Sequence, residues 1–139
     1  GVGTLRASLV QEGDGLFLDA LIVGEGRDAV GALIVLDRAA CEAYCGLVSG
    51  VSWDVVLAHP GLRARVQAAL DAIAARATGS STYIARAMVL RDGPSAAAGE
   101  LTDKGSINQR AFLANRPQTL QRLYAEPPEA SVVAARSRY

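Results

Sequence analysis

The sequence is 139 residues long, enough for one domain with a substantial core of its own. Half of it is apolar and a fifth charged, the balance of an ordinary globular fold, and no apolar run approaches the roughly 20 residues a membrane-spanning helix needs. Basic and acidic residues cancel at 14 each, so neither nucleic acid nor a membrane surface is expected as a partner.

From the N-terminus, Thr4 to Gln11 can form a short helix. Residues 16–23 (LFLDALIV) and 29–36 (AVGALIVL) are apolar on nearly both faces, which suits buried strands. The Gly-containing loop 24–28 between them predicts an antiparallel hairpin. Asp37 is a good helix N-cap, with Ala40, Ala43, Tyr44, Leu47 and Val48 at the spacing of one helical stripe. Cys41 and Cys45 lie four apart on that helix and read as small core hydrophobes, in a reducing, cytoplasmic setting. With His59 the one histidine, ligands for a metal site are too few, and none is expected.

Residues 49–59 read as a loose segment, in which Trp53, like Tyr44 before it, is expected as a core or half-buried anchor. His59 is expected to cap or space the helix that Pro60 opens. In that helix Leu62, Val66, Ala69, Leu70, Ile73 and Ala77 make the apolar stripe, with Gly79 as its stop. Residues 82–91 predict a third strand, followed by a polar loop over 92–106. A last helical segment runs from about Asn108 to Ala125, and Pro117 is expected to split it. Residues 126–139 read as a flexible tail beyond a domain of residues 1–125. The fold class is thus α+β: a small mixed three-stranded sheet with an antiparallel hairpin, flanked by helices.

The chain has 13 arginines and a single lysine, Lys104, and that lysine falls in its most loop-like stretch. An ammonium on a long stem is a compact, mobile charge able to meet a phosphate and a carboxylate together. Gly99, Gly105 and Ser106 around it allow close backbone approach. From composition alone, a solvated surface lysine is the plainer account.

The run 99–113, GELTDKGSINQRAFL, changes that balance. It resembles the C-terminal signature of feruloyl-CoA synthetases, within the superfamily of AMP-forming acyl-CoA synthetases, luciferases and peptide-synthetase adenylation domains. The resemblance covers nearly the whole chain and keeps its order. FLDALIVGEGRDAVGALIVLD is similar to the family's strand–loop–strand, GSSTYIARAMVLRDGPSAAAGE to its last strand and approach loop, and INQRAFLANRPQTLQRLYAEPPE to its closing helix. Where the wider superfamily carries its lysine in a Pro-Lys-Thr-x-Ser-Gly-Lys-type motif, Thr102-Asp103-Lys104-Gly105 stands here.

The resemblance implies the small C-terminal lid of an acid–CoA ligase, inactive by itself. A small carboxylic acid, hydroxycinnamate-like by resemblance to that branch, would attack the α-phosphate of ATP; CoA would then displace AMP. ATP/AMP, CoA and Mg2+ belong to the full-length enzyme, none to this domain alone. The partner is a large N-terminal adenylation domain of the same polypeptide, with the hinge upstream of Gly1; no Ser/Thr/Gly-rich phosphate loop of that domain occurs here. The lid would close with Lys104 as catalytic residue, then rotate to present another face. Gly99, Glu100, Thr102, Asp103 and Gly105 would support its loop, although Glu100 and Asp103 read equally well as solvated charges. Gly3 and Arg6 lie where the family faces the CoA tunnel; a simple chain start capped by Thr4 is the plainer account. A free-standing α+β sensor or interaction module is the competing reading of the chain.

Overall fold

The computed structural model describes residues 1–136. Helix α1 (Val2–Glu12) leads into strands β1 (Phe17–Val23) and β2 (Gly31–Leu36). Helices α2 (Arg38–Tyr44), α3 (Trp53–Leu57) and α4 (Pro60–Ala75) then cross over to β3 (Arg86–Val89), and α5 (Gln109–Asn115), α6 (Gln118–Leu123) and β4 (Val132–Ala134) complete the chain. The sheet has the order β1-β2-β3-β4, antiparallel, parallel and antiparallel in turn, so it is mixed and opens with the expected hairpin.

Strand alternation divides the core in two. Ala20 and Ile22 of β1, Ala32 and Ile34 of β2 and Ala87 of β3 face Leu5 and Leu9 of α1, Cys41 of α2 and the buried stripe of α4. Leu21, Val23, Leu33, Val35 and Met88 face the other way, onto Phe112 of α5 and Leu123 of α6. The domain is therefore a sheet with helices on both faces.

Helix α4 follows its sequence closely. The His59 imidazole accepts a hydrogen bond from Gly61 N at 2.9 Å, which caps the first turn, and Leu62, Val66, Ala69, Leu70 and Ile73 are buried. The helix ends at Ala75, ahead of Gly79, which instead precedes a short 3-10 turn over Ser80–Thr82. That turn trims the third strand to four residues.

Asp37 caps α2 by accepting from Ala40 N at 3.0 Å, but the inward face differs from the expected stripe. Cys41 is buried while Tyr44 and Val48 are 55% and 79% exposed, so Tyr44 is not an anchor. The helix stops after two turns, and Gly46 with φ +68° turns the chain away, so residues 47 and 48 never join a helical face. Burial raises the Cys41 thiol to about 11, and both cysteines are free. The segment read as loose contains α3, whose Val56 is fully buried. Trp53 is the half-buried anchor there, donating its indole N–H to Arg91 O at 2.7 Å.

The largest correction concerns the C-terminus. The stretch from 126 read as a flexible tail supplies β4, so the sheet has four strands and not three. Val132 and Val133 are buried, and Arg63 and Gln67 of α4 donate to the carbonyls of Ala130, Val132 and Ala134 at 2.5, 3.2 and 2.8 Å. An apolar triplet is too short to show a period, and what orders it is the open edge of β3. Residues 137–139 of the expected tail lie outside the described residues. Among the described residues no helix is long and apolar enough to cross a membrane, and no group of three or more His, Cys, Asp or Glu could hold a metal ion.

Tyr124, just past α6, locks the last helices to the hairpin. Its hydroxyl donates to Ala29 O at 2.8 Å, and the Arg27 guanidinium lies 4.2 Å from its ring centroid. The ring fits because Gly31 has no side chain: a Cβ there would stand 2.9 Å from the Tyr124 oxygen and 2.8 Å from Leu123 Cδ2.

Candidate functional site

Lys104 stands at the tip of a small hairpin built from Leu101 to Ile107, which pair as an antiparallel bridge. Thr102 N donates to Ser106 O at 2.8 Å and Gly105 N to Thr102 O at 2.9 Å, closing a three-residue loop of Asp103, Lys104 and Gly105. The third loop position requires a left-handed backbone, which Gly105 supplies with φ +82°. Thr102 adds a second tie, its hydroxyl accepting from Ser106 N at 3.2 Å. Asp103 and Lys104 are both exposed, and no ion pair among the described residues involves Lys104. The ammonium is thus exposed on an ordered turn, outside any ion pair among the described residues.

The base of this hairpin is fastened by Glu100, which is 2% exposed and so is no solvated charge. Its carboxylate accepts from Arg116 Nη2 at 2.8 Å and Arg116 Nε at 3.3 Å, from Ser95 N at 2.9 Å and from Asn115 Nδ2 at 3.2 Å. Its main chain pairs as well: Glu100 N donates to Ser95 O at 2.9 Å, and Glu100 O accepts from Asn108 N at 2.8 Å. Gly99, with φ +75°, provides the sharp approach. Hydrogen bonding from Arg116, helped by Ser95 and Asn115 and opposed by burial, holds the carboxyl down to about 2 from the ordinary 4.5.

That shift makes a prediction about acid stability. A carboxyl whose folded pKa is depressed stabilises the fold above its unfolded pKa, and the contribution disappears as pH falls through the folded value. Glu100 should therefore stabilise this domain fully above pH 4.5 and lose that effect on the way to about 2. Thermal melts between these pH values should show a steeper decline for the native sequence than for Glu100→Gln. Equal slopes would count against the bonded carboxylate.

The sequence-expected residues thus fall into two groups. Gly99, Glu100, Thr102, Asp103, Lys104 and Gly105 form one structural unit. Gly3 and Arg6 do not join it: they lie on α1, which packs on the sheet face opposite α5. Arg6 already has a partner, its Nε lying 2.6 Å from Asp19 Oδ1, and the space beside Gly3 is open. What the sequence reading missed is the pair that grips Glu100, Asn115 and Arg116. Their one visible signal was the Asn-Arg-Pro end of the split helix. A cavity of about 750 Å³ lies between α3, the start of α4, β3 and α6, and Asp92 and Arg116 of the hairpin's anchor also line it. Its four arginines are engaged: Arg63 with backbone carbonyls, Arg91 with Asp54, Arg116 with Glu100 and Arg122 with Glu129.

A family model described as AMP-binding enzyme C-terminal domain matches residues 5–127. Among solved structures, the chain is similar to the A-PCP didomain of carboxylic acid reductase from Segniliparus rugosus in complex with AMP. The TM-score is 0.62 at 20% identity, and the match covers 91% of this chain but 16% of that one. At such identity the likeness is one of fold. No curated protein matches the chain. The family match spans nearly all of the ordered domain, including the lysine hairpin and the helices that carry it, and the chain belongs to the AMP-binding enzyme C-terminal domain family.

Proposed function

We propose that this domain is the mobile lid of an ATP-dependent, AMP-forming acid–CoA ligase of the feruloyl-CoA synthetase type, with Lys104 as its catalytic residue. The observation that carries the reading is the hairpin: a lone lysine exposed on an ordered turn, with no ion-pair partner among the described residues. Such a cation is suited to enter a site on another domain, where it would lie between the acid's carboxylate and the α-phosphate of ATP. As those two anions approach, a fixed positive charge stabilises the charge that develops between them. Gly99, Glu100, Thr102, Asp103 and Gly105 support the turn.

The two-sided sheet fits the second half of the cycle. Helix α1, with Gly3 and Arg6, occupies the face opposite α5, so a rotation of the lid would exchange the lysine hairpin for α1 at the same active site. Because Arg6 is paired with Asp19, it would meet a CoA phosphate as part of that ion pair. In this reading the partner is the large N-terminal adenylation domain of the same polypeptide, which holds ATP, Mg2+ and a hydroxycinnamate-like acid. The two free cysteines accord with a cytoplasmic setting.

The test is an assay of the complete polypeptide against a panel of aryl and fatty acids. Acid-dependent exchange of pyrophosphate into ATP is expected, fastest with hydroxycinnamates, together with CoA-dependent release of AMP. Exchange without CoA-dependent turnover would overturn CoA as the acceptor. Failure of every acid would point instead to a sensor or interaction module.

A further inference from the structure

We infer that Arg116 is a positioning residue for the lysine hairpin, acting through the carboxylate of Glu100; the inference rests on the reading of Lys104 given above. Arg116 directly follows α5 and precedes Pro117. The residue before a proline is driven out of the helical region, and Arg116 has φ −128° and ψ 67°. Having left the helix, its side chain reaches back across the domain. Nη1 donates to Asp92 O at 2.5 Å and Nη2 to Gly93 O at 2.9 Å, while Nη2 and Nε hold the two carboxylate oxygens of Glu100. One guanidinium therefore grips both the start and the end of the loop 92–100 that leads into the hairpin. Its own orientation is fixed from beneath, where it lies 4.1 Å from the centroid of the Phe112 ring.

The hairpin is consequently tied at both ends to a single short helix. Its first strand is held through Glu100 by Asn115 and Arg116 at the C-terminal end of α5. Its second strand runs into Asn108, the N-cap of the same helix, whose side chain accepts from Ala111 N at 3.1 Å. Since the turn itself is closed by its own backbone hydrogen bonds, the direction in which Lys104 projects is set at this base. A forked guanidinium can hold a carboxylate in a fixed orientation, whereas an ammonium supplies charge without that geometry. Arg116→Lys thus separates the two contributions.

The experiment uses the complete polypeptide and the panel acid that gives the native enzyme its fastest pyrophosphate exchange. Misplacement of a catalytic group by about 1 Å can cost on the order of 10²-fold, so Arg116→Lys is expected to lower kcat for exchange roughly 10-fold or more with the KM for ATP unchanged. The decisive readout is the double variant. A residue that works through the lysine has nothing left to act on once the lysine is gone, so Lys104→Ala/Arg116→Lys should be no slower than Lys104→Ala alone. Additive defects, or native exchange in Arg116→Lys, would overturn the inference. Should Arg116→Lys fail to fold, Asn115→Ala removes a weaker grip on Glu100. It should lower exchange by a smaller factor that again vanishes without Lys104, and an effect that persists in the Lys104→Ala background would overturn the inference too. If Lys104→Ala alone leaves exchange intact, the lysine reading itself fails, an outcome distinct from a failure confined to Arg116.

Discussion

Lys104→Ala in the complete polypeptide is expected to slow acyl-adenylate formation about 10²- to 10³-fold, the usual cost of removing one preorganised charge stabiliser from a closed site. The expectation follows from where the charge stands. Lys104 belongs to a three-residue loop closed by hydrogen bonds between Thr102, Gly105 and Ser106, so truncating its side chain removes the ammonium and leaves the turn that carries it. No ion pair among the described residues depends on it, so little stability should be lost. A defect in exchange with an unchanged melting temperature would accordingly belong to the chemistry. Thioester formation from preformed acyl-adenylate should continue at the native rate, because that step is assigned to the opposite face of the sheet. Equal loss of both half-reactions would contradict the role, as would a normal rate of exchange. Lys104→Arg should restore only part of the rate, since a planar guanidinium differs in shape and hydration from the compact ammonium.

How much of this was legible in the sequence depended on whether the governing contacts were local. The first hairpin could be read because two apolar runs flank a Gly-containing loop, and α4 because its buried positions repeat over four turns. The break at Pro117 could be read because its cause lies in the residue itself. Strand β4 and helix α3 could not: at three and five residues they show no period, and both are ordered by partners far along the chain. Tyr44 was misjudged because α2 turns Cys41 and Glu42 inward, which leaves Tyr44, although helical, on the outer face. The same division runs through the candidate site. Lys104 could be singled out by composition and by the run around it, and the left-handed turn at Gly105 was foreshadowed by the glycine. Glu100 looked like one more loop carboxylate, because its burial depends on Arg116, 16 residues away. No local pattern encodes that contact.

Phe112→Ala is expected to destabilise the domain by about 3–5 kcal/mol, the range for deleting a fully buried aromatic side chain. Phe112 is 0% exposed and is the largest fully buried side chain among the described residues. It belongs to the smaller of the two cores, together with Leu21, Leu33, Val35, Met88 and Leu123, and among the described residues no second aromatic side chain there is fully buried. Domains of this kind hold a net stability of only about 5–15 kcal/mol, so such a loss is a large part of the total. The damage should also be uneven. Helices α1 and α4 pack on the other face and keep their contacts, whereas α5 and α6 rest on the core that Phe112 fills. Hydrogen exchange should therefore quicken across residues 107–124 more than across α4. Because Arg116 lies over the same ring and holds Glu100, the loop 92–100 should loosen together with these helices. Phe112→Leu, which restores most of the volume, should recover most of the protection. Uniform acceleration over both faces would instead mean that the two cores unfold as one unit, and that the lysine hairpin has no independently stabilised base.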